Sequence, residues 1–124
     1  MKEVVSSLEG GLGHTVEEGG TNFSVGQRQL LCLARALLRR NQLILLDEAT
    51  ASMDEETDTL VQETLFRELD GKTLLTITHR LDTILHYDRI LVLDQGKVLE
   101  FDTPGNLLEN KGSQFYQMMK NHQE

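Results

Sequence analysis

One cysteine, Cys32, excludes an internal disulfide and leaves no set of soft ligands at metal-binding spacing. A lone thiol suits a reducing compartment, and the sequence reads as cytosolic. Basic side chains are also short in number: 12 Lys and Arg against 20 Asp and Glu leave a formal charge of −8. That excludes a basic nucleic-acid binder, so no nucleic acid is expected among the partners. Long hydrophobic runs are missing as well. The longest, Leu30 to Ala34, falls far short of the roughly 20 residues that span a bilayer. No positively charged leader with an apolar stretch follows Met1, so the isolated chain is expected to be soluble. With one proline, no internal repeat and no low-complexity segment, nothing reads as a Pro-rich linker. What is present is ordinary: 39% hydrophobic and 26% charged residues support a packed core. At 124 residues that core is small, and the chain is one domain or a piece of a larger one.

Met1 to Leu8 has weak helical character and runs into Gly10, Gly11 and Gly13, then Glu17-Glu18-Gly19-Gly20, where glycines interrupt regular structure. Leu30, Leu33, Ala34, Leu37 and Leu38 recur at helical spacing, which predicts a helix starting near Ser24 with Arg39 and Arg40 in its last turn. Leu43 to Leu46 is apolar at every position, as expected of a strand covered on both faces, and it ends on Asp47 and Glu48. Asp54 to Leu69 reads as a second helix, opened by Asp54, Glu55 and Glu56 and closed by Gly71. Leu74 to Thr78 is a second buried strand. Strand, helix and strand in that order predict two adjacent parallel strands in a three-layer α/β arrangement, with Asp47, Glu48 and His79 on one sheet edge. A short helix at Leu81 to Leu85, a hairpin from Arg89 to Phe101 turning at Asp94-Gln95-Gly96, and helices opened by Thr103-Pro104 and Ser113 complete the pattern.

Three features could carry chemistry. Ser24-Val25-Gly26-Gln27 precedes the strongest helix, where free backbone amides, a hydroxyl and the helix dipole make an anion site, and Gly26 permits close approach of a phosphate. Taken alone, Ser24 is as simply an N-cap and Gly26 a turn residue. Asp47 and Glu48 at the end of an apolar strand suit one carboxylate for Mg²⁺ and one for the water that attacks a γ-phosphate. An acid pair facing solvent is the plainer alternative. His79 could hydrogen-bond the same phosphate or simply cap its strand.

Order and spacing join these features. Asn22 to Gln29, Leu43 to Thr50 (LILLDEAT), Ala51-Ser52-Met53-Asp54 and Thr78-His79-Arg80-Leu81 resemble the carboxyl-terminal half of an ATP-binding cassette (ABC) ATPase domain, from about Glu17 to Tyr116. The resemblance implies a partial P-loop NTPase fold, α/β, with parallel strands flanked by helices, a carboxyl-terminal hairpin and short helices. It implies that Ser24, Val25, Gly26 and Gln27 form the signature motif, that Asp47 is the metal-side Walker B aspartate, and that Glu48 is the catalytic glutamate. Ala51 to Asp54 match the D-loop, with Asp54 near nucleotide, and His79 the switch histidine. Residues 1–40 would then end a helical subdomain, and 41–124 would carry Walker B, D-loop, switch histidine and the carboxyl-terminal subdomain. Ser-Val-Gly-Gln followed by Arg28 to Ala36, with Glu48 after Asp47, is similar to the second nucleotide-binding domain of multidrug-resistance-associated (subfamily C) exporters. Phe23 stands where the family more often has Leu.

Gly71-Lys72-Thr73 imitates the end of a P-loop, but Phe66 occupies the position five before Gly71, and the segment leaves a helix to enter a strand. The Walker A part is thus absent from this sequence, and the isolated chain is expected to bind Mg-ATP weakly and hydrolyse it negligibly. The resemblance implies ATP and Mg²⁺, a second nucleotide-binding domain in an ATP sandwich, and the transmembrane domains of an exporter that moves organic anions or drugs. It places the parent's ATPase at the cytoplasmic face of a membrane. The alternative is a non-catalytic fragment or short isoform that docks on a complete nucleotide-binding domain and supplies the signature in trans. A chromosome-maintenance ATPase half would need coiled-coil heptads, which the sequence lacks.

Overall fold

The structure, a computed structural model, describes residues 1–122. They form two compact units, Met1–Ile77 and the chain from Thr78 onward.

The first unit opens with α1 (Lys2–Ser7) and two short 3-10 turns, Gly11–Gly13 and Glu18–Gly20. Gly20 needs its missing side chain: its φ is +65°, and a Cβ there would lie 2.9 Å from Cδ of Arg28. Helix α2 (Val25–Leu38) begins at Ser24, whose hydroxyl accepts from the Gln27 amide while the Gln27 side chain accepts from the Ser24 amide, a complete capping box. It ends earlier than the sequence suggests. Arg39 is the C-cap with extended backbone, and Arg35 is the basic residue of the last turn. Only residues 39–42 separate α2 from β1 (Leu43–Asp47), so Arg39 and Arg40 lie in the link rather than in the helix.

Strand β1 pairs in parallel with β2 (Thr73–Ile77), from Leu43 against Thr73 to Asp47 against Ile77. The helix between them, α3 (Glu55–Glu68), is capped by Asp54. Gly71, at φ +74°, turns the chain from α3 toward β2, so the P-loop imitation is a helix stop and a strand start. The core gathers Leu33 of α2, Ile44 and Leu46 of β1, Met53, and Leu65 and Leu69 at the α3 end, with Leu30, Leu37, Val61 and Leu74 against them. Removing a side chain such as Leu65, 2% exposed, would cost about 2–5 kcal/mol.

Two expectations need correction. The sheet is covered on one face only: Leu43 (54%), Leu45 (66%), Leu75 (52%) and Ile77 (59%) are exposed on the other, so this unit has two layers rather than three. The buried stripe of α2 is correspondingly narrow. Leu33 is buried and Leu30 and Leu37 partly so, whereas Ala34 and Leu38 face solvent, because a two-stranded sheet offers a helix little width to cover.

The second unit starts with α4 (Leu81–Ile84) and continues into the antiparallel pair β3 (Ile90–Asp94) and β4 (Lys97–Asp102), with a register shift at Val92/Leu93. Gln95 (φ +46°) and Gly96 (φ +73°) make a two-residue turn with both central residues left-handed, which suits the twist of a hairpin. Thr103 caps α5 (Pro104–Glu109), with Pro104 in its first turn. Helix α6 (Gln114–His122) is anchored from β4: Glu100 accepts from the Ser113 hydroxyl and from the amides of Gln114 and Phe115 at 3.0, 2.7 and 3.1 Å. Leu81, Ile90, Val92, Leu107, Phe115 and Met119 form the core of this unit.

Candidate functional site

The approach to Ser24 is held by local polar contacts. Asn22 accepts from the Glu17 amide and donates to the Thr15 carbonyl, Arg28 donates to the Gly19 carbonyl at 2.9 Å, and the His14 ring stands edge-on to buried Phe23 at 6.5 Å. These contacts deliver the chain to α2 in one direction. The first backbone bond of the turn runs from the Arg28 amide to the Ser24 carbonyl, so the amides of Val25 and Gly26 lie ahead of the intrahelical ladder and point outward along the positive end of the dipole. Ser24 and Val25 are exposed and Gly26 and Gln27 half-buried. A Cβ on Gly26 would stand 3.5 Å from the Ser52 carbonyl, an ordinary contact. The end of α2 therefore rests on the turn that follows β1.

That turn begins at Glu48. Its amide donates to the Ile77 carbonyl at 2.9 Å, its carbonyl accepts from the Ala51 amide at 3.1 Å, and its φ is +47°. A left-handed non-glycine residue costs about 1–3 kcal/mol and persists only where its surroundings fix it. Here the sheet fixes one side of the residue and the turn the other, which aims the Glu48 side chain as the chain leaves β1. Met53 donates to the Thr50 carbonyl and is buried, so the turn is closed and pinned to the core.

Asp47 is the last residue of β1 and is exposed. Among the described residues no three His, Cys, Asp or Glu side chains gather as a metal cluster. Mg²⁺ needs none: it keeps several waters and takes one or two carboxylates together with phosphate oxygens, so an exposed Asp47 beside Glu48 is a fitting donor set. Asp54 has another occupation. Its two carboxylate oxygens accept from the Thr57 amide and hydroxyl at 2.9 and 2.8 Å, and those bonds, the backbone one foremost, hold its pKa below the ordinary carboxylate value. It thereby fixes the start of α3. His79 follows β2 by two residues, is exposed, and belongs to the second unit, where the Thr78 hydroxyl accepts from the Arg80 amide at 3.1 Å.

Sequence reasoning missed Gln29. Its side chain donates to the Glu48 carbonyl at 3.4 Å and accepts from the Ser52 amide at 3.3 Å. The available signal was spacing: Gln29 lies three residues after Gly26 and so shares its helix face.

A sequence model described as ABC transporter matches residues 1–51. The chain is 55% identical over 120 residues to the vacuolar heme ABC transmembrane exporter abc3 of Schizosaccharomyces pombe, covering 97% of this chain and 8% of that protein. It is 59% identical over 103 residues to bile pigment transporter 1 of Saccharomyces cerevisiae, covering 83% and 7%. To ATP-binding cassette sub-family C member 4 of Homo sapiens it is 50% identical over 120 residues, covering 97% and 9%. Among solved structures, a bacterial Atm1-family ABC exporter with ATP bound superimposes with a TM-score of 0.90 at 32% identity, over 98% of this chain and 21% of that one. The chain spans less than a tenth of the length of these curated relatives.

Proposed function

The chain belongs to the nucleotide-binding domains of ABC transporters, as a carboxyl-terminal part resembling those of subfamily C exporters, and on that premise we propose that it serves an ATPase that drives export of organic anions or drugs. The observation that carries this reading is the turn after β1. Glu48 leaves the sheet in a strained, doubly tethered conformation, and the phosphate-competent end of α2 packs on the same turn.

In this reading Ser24 to Gln27 meet the triphosphate held by a partner nucleotide-binding domain through the outward amides of Val25 and Gly26 and the Ser24 hydroxyl, with Gln27 holding the Ser24 end of the turn through the capping box. Glu48 orients the attacking water and accepts its proton, and His79 donates a hydrogen bond toward the γ-phosphate. Asp47 would hold Mg²⁺, which when bound offsets the charge on the phosphate oxygens. Asp54 acts through the backbone, by fixing the D-loop end at α3. Transmembrane domains receive the resulting movement, and the ATPase works at the cytoplasmic face of the membrane. The phosphate cradle comes from outside these 124 residues, so the isolated chain binds Mg-ATP weakly and turns it over negligibly.

Replacing Glu48 by Gln in the full-length transporter, with its other site silenced, tests the reading. ATP binding should persist while turnover falls by about two orders of magnitude or more. Unchanged turnover would remove Glu48 from the chemistry. A second reading, a non-catalytic module that supplies the signature in trans, draws support from the capping box, which forms within this chain alone. Enhanced turnover of a complete nucleotide-binding domain on adding residues 1–124 would favour it.

A further inference from the structure

We infer that Gln29 is a positioning residue that ties the nucleotide-facing end of α2 to the backbone of Glu48, and so couples contact at Ser24 to Gly26 with the aim of the water-activating carboxylate. The inference rests on the ATPase reading above. Both ends of one side-chain amide are engaged: Nε2 donates to the Glu48 carbonyl at 3.4 Å and Oε1 accepts from the Ser52 amide at 3.3 Å. The partners settle the orientation of the amide, because a carbonyl only accepts and an amide N–H only donates; a flipped amide would set like against like at both ends.

The same turn is touched twice. Gly26 and Gln29 lie on one face of α2: the first leaves room for only a methyl group before the Ser52 carbonyl, and the second bonds the Ser52 amide, so the helix packs closely on this turn and holds it by its donor. At Glu48 the geometry is equally specific. Its amide is fixed by Ile77, and its carbonyl accepts from both Ala51 and Gln29, while its φ of +47° lies in the left-handed region. With the Glu48 amide held, rotation about φ of Glu48 would carry its carbonyl away from Gln29 and turn Cβ, and so the direction of the side chain, with it. Helix propensity gives no reason for glutamine here, since Leu, Lys, Arg, Met and Glu serve a helix interior as well. The two bonds are long, as hydrogen bonds around catalytic groups often are before substrate binds. A pull on the first turn of α2 would therefore act on Glu48 through Gln29. Since the signature contacts nucleotide held by the partner domain while Glu48 serves its own domain's site, Gln29 would link two ATP sites within one chain.

Two variants separate the bonds: Gln29→Met keeps length and helix propensity but removes both, and Gln29→Glu keeps only the acceptor for Ser52. In the 124-residue chain, amide hydrogen exchange at Ser52 should accelerate about fivefold in Gln29→Met and stay near the original in Gln29→Glu. Equal exchange in the original chain and Gln29→Met, at matched thermal midpoints, would overturn the clamp. In the full-length transporter, with the other site silenced, both variants should lower kcat about tenfold and leave KM for ATP within about twofold. An unchanged kcat, or a rise in KM alone, would overturn the positioning role. Glu48→Gln in the same preparation keeps the two ideas apart. If it too leaves turnover intact, the ATPase reading has failed, and the exchange measurement still decides whether Gln29 holds the turn.

Discussion

The Glu48 amide donates to the Ile77 carbonyl one residue beyond the register pair of Asp47 and Ile77. The parallel ladder thus continues past the strand and grips the first residue of the turn, even though that residue has left extended geometry at φ +47°.

A left-handed backbone favours glycine, which sets the folding value of Glu48 against the chemistry proposed for it. Replacing Glu48 by Gly should raise the stability of the first unit by about 1 kcal/mol, seen as a higher midpoint in urea unfolding. In the full-length transporter the same change should abolish turnover. A midpoint lower than that of Glu48→Ala would show that the side chain, rather than strain at the backbone, dominates at this position.

At Gly26 the demands of folding can be separated from those of the proposed nucleotide contact. A methyl group there meets the Ser52 carbonyl at 3.5 Å, ordinary contact distance, so Gly26→Ala should leave the thermal midpoint unchanged or raise it, since Ala gains about 1 kcal/mol over Gly inside a helix. Gly26→Asp adds bulk and negative charge at the face proposed to meet phosphate. In the full-length transporter it should weaken ATP-dependent domain closure and spare nucleotide binding to the open partner P-loop. Intact closure in Gly26→Asp would mean that Ser24 to Gln27 are only a helix cap.

The second unit carries a pH dependence of its own. Burial pushes the Glu100 carboxyl up, but the bonds from Phe115, Gln114 and Ser113 outweigh it and hold the pKa below the ordinary glutamate value. A depressed folded pKa stabilises the fold above the unfolded value, about 4.3, and that contribution is lost as pH falls through the folded value. Exchange protection of α6 should therefore fade on acidification below about pH 4. Glu100→Gln should start lower and change less over the same interval. A parallel fall in the two proteins would assign the acid sensitivity elsewhere, with Asp102 the next candidate because the Thr103 amide, the Asn106 side chain and Arg89 depress its pKa in the same way.

Local signals in the sequence were legible where one residue decides a local geometry. Ser24, Asp54, Thr103 and Pro104 mark their helix starts, Gln95-Gly96 its turn, and the two apolar runs their parallel pairing. Periodicity failed where the answer depends on what lies opposite. Leu43 and Leu45 are as apolar as Ile44 and Leu46, so nothing in the strand itself distinguishes the open face from the covered one. Glu100 is remote from the helix it caps, 13 residues before Ser113, and no cap rule of local sequence reaches that far. At the candidate site the acid pair and the segment Ser24 to Gln27 were visible as residue types. Gln29 was hidden because a polar side chain inside a helix ordinarily reads as solvated surface.

The open face of β1 and β2 bears on how such a chain fares when it is made by itself. Leu43, Leu45, Leu75 and Ile77 form a continuous apolar surface on a sheet whose two strands both have an unpaired edge. That is the kind of surface folding helpers bind and quality-control proteases survey, and its edges can template pairing with another copy. Lifetime in a cell would then be set less by the depth of either small core than by how soon that surface is covered.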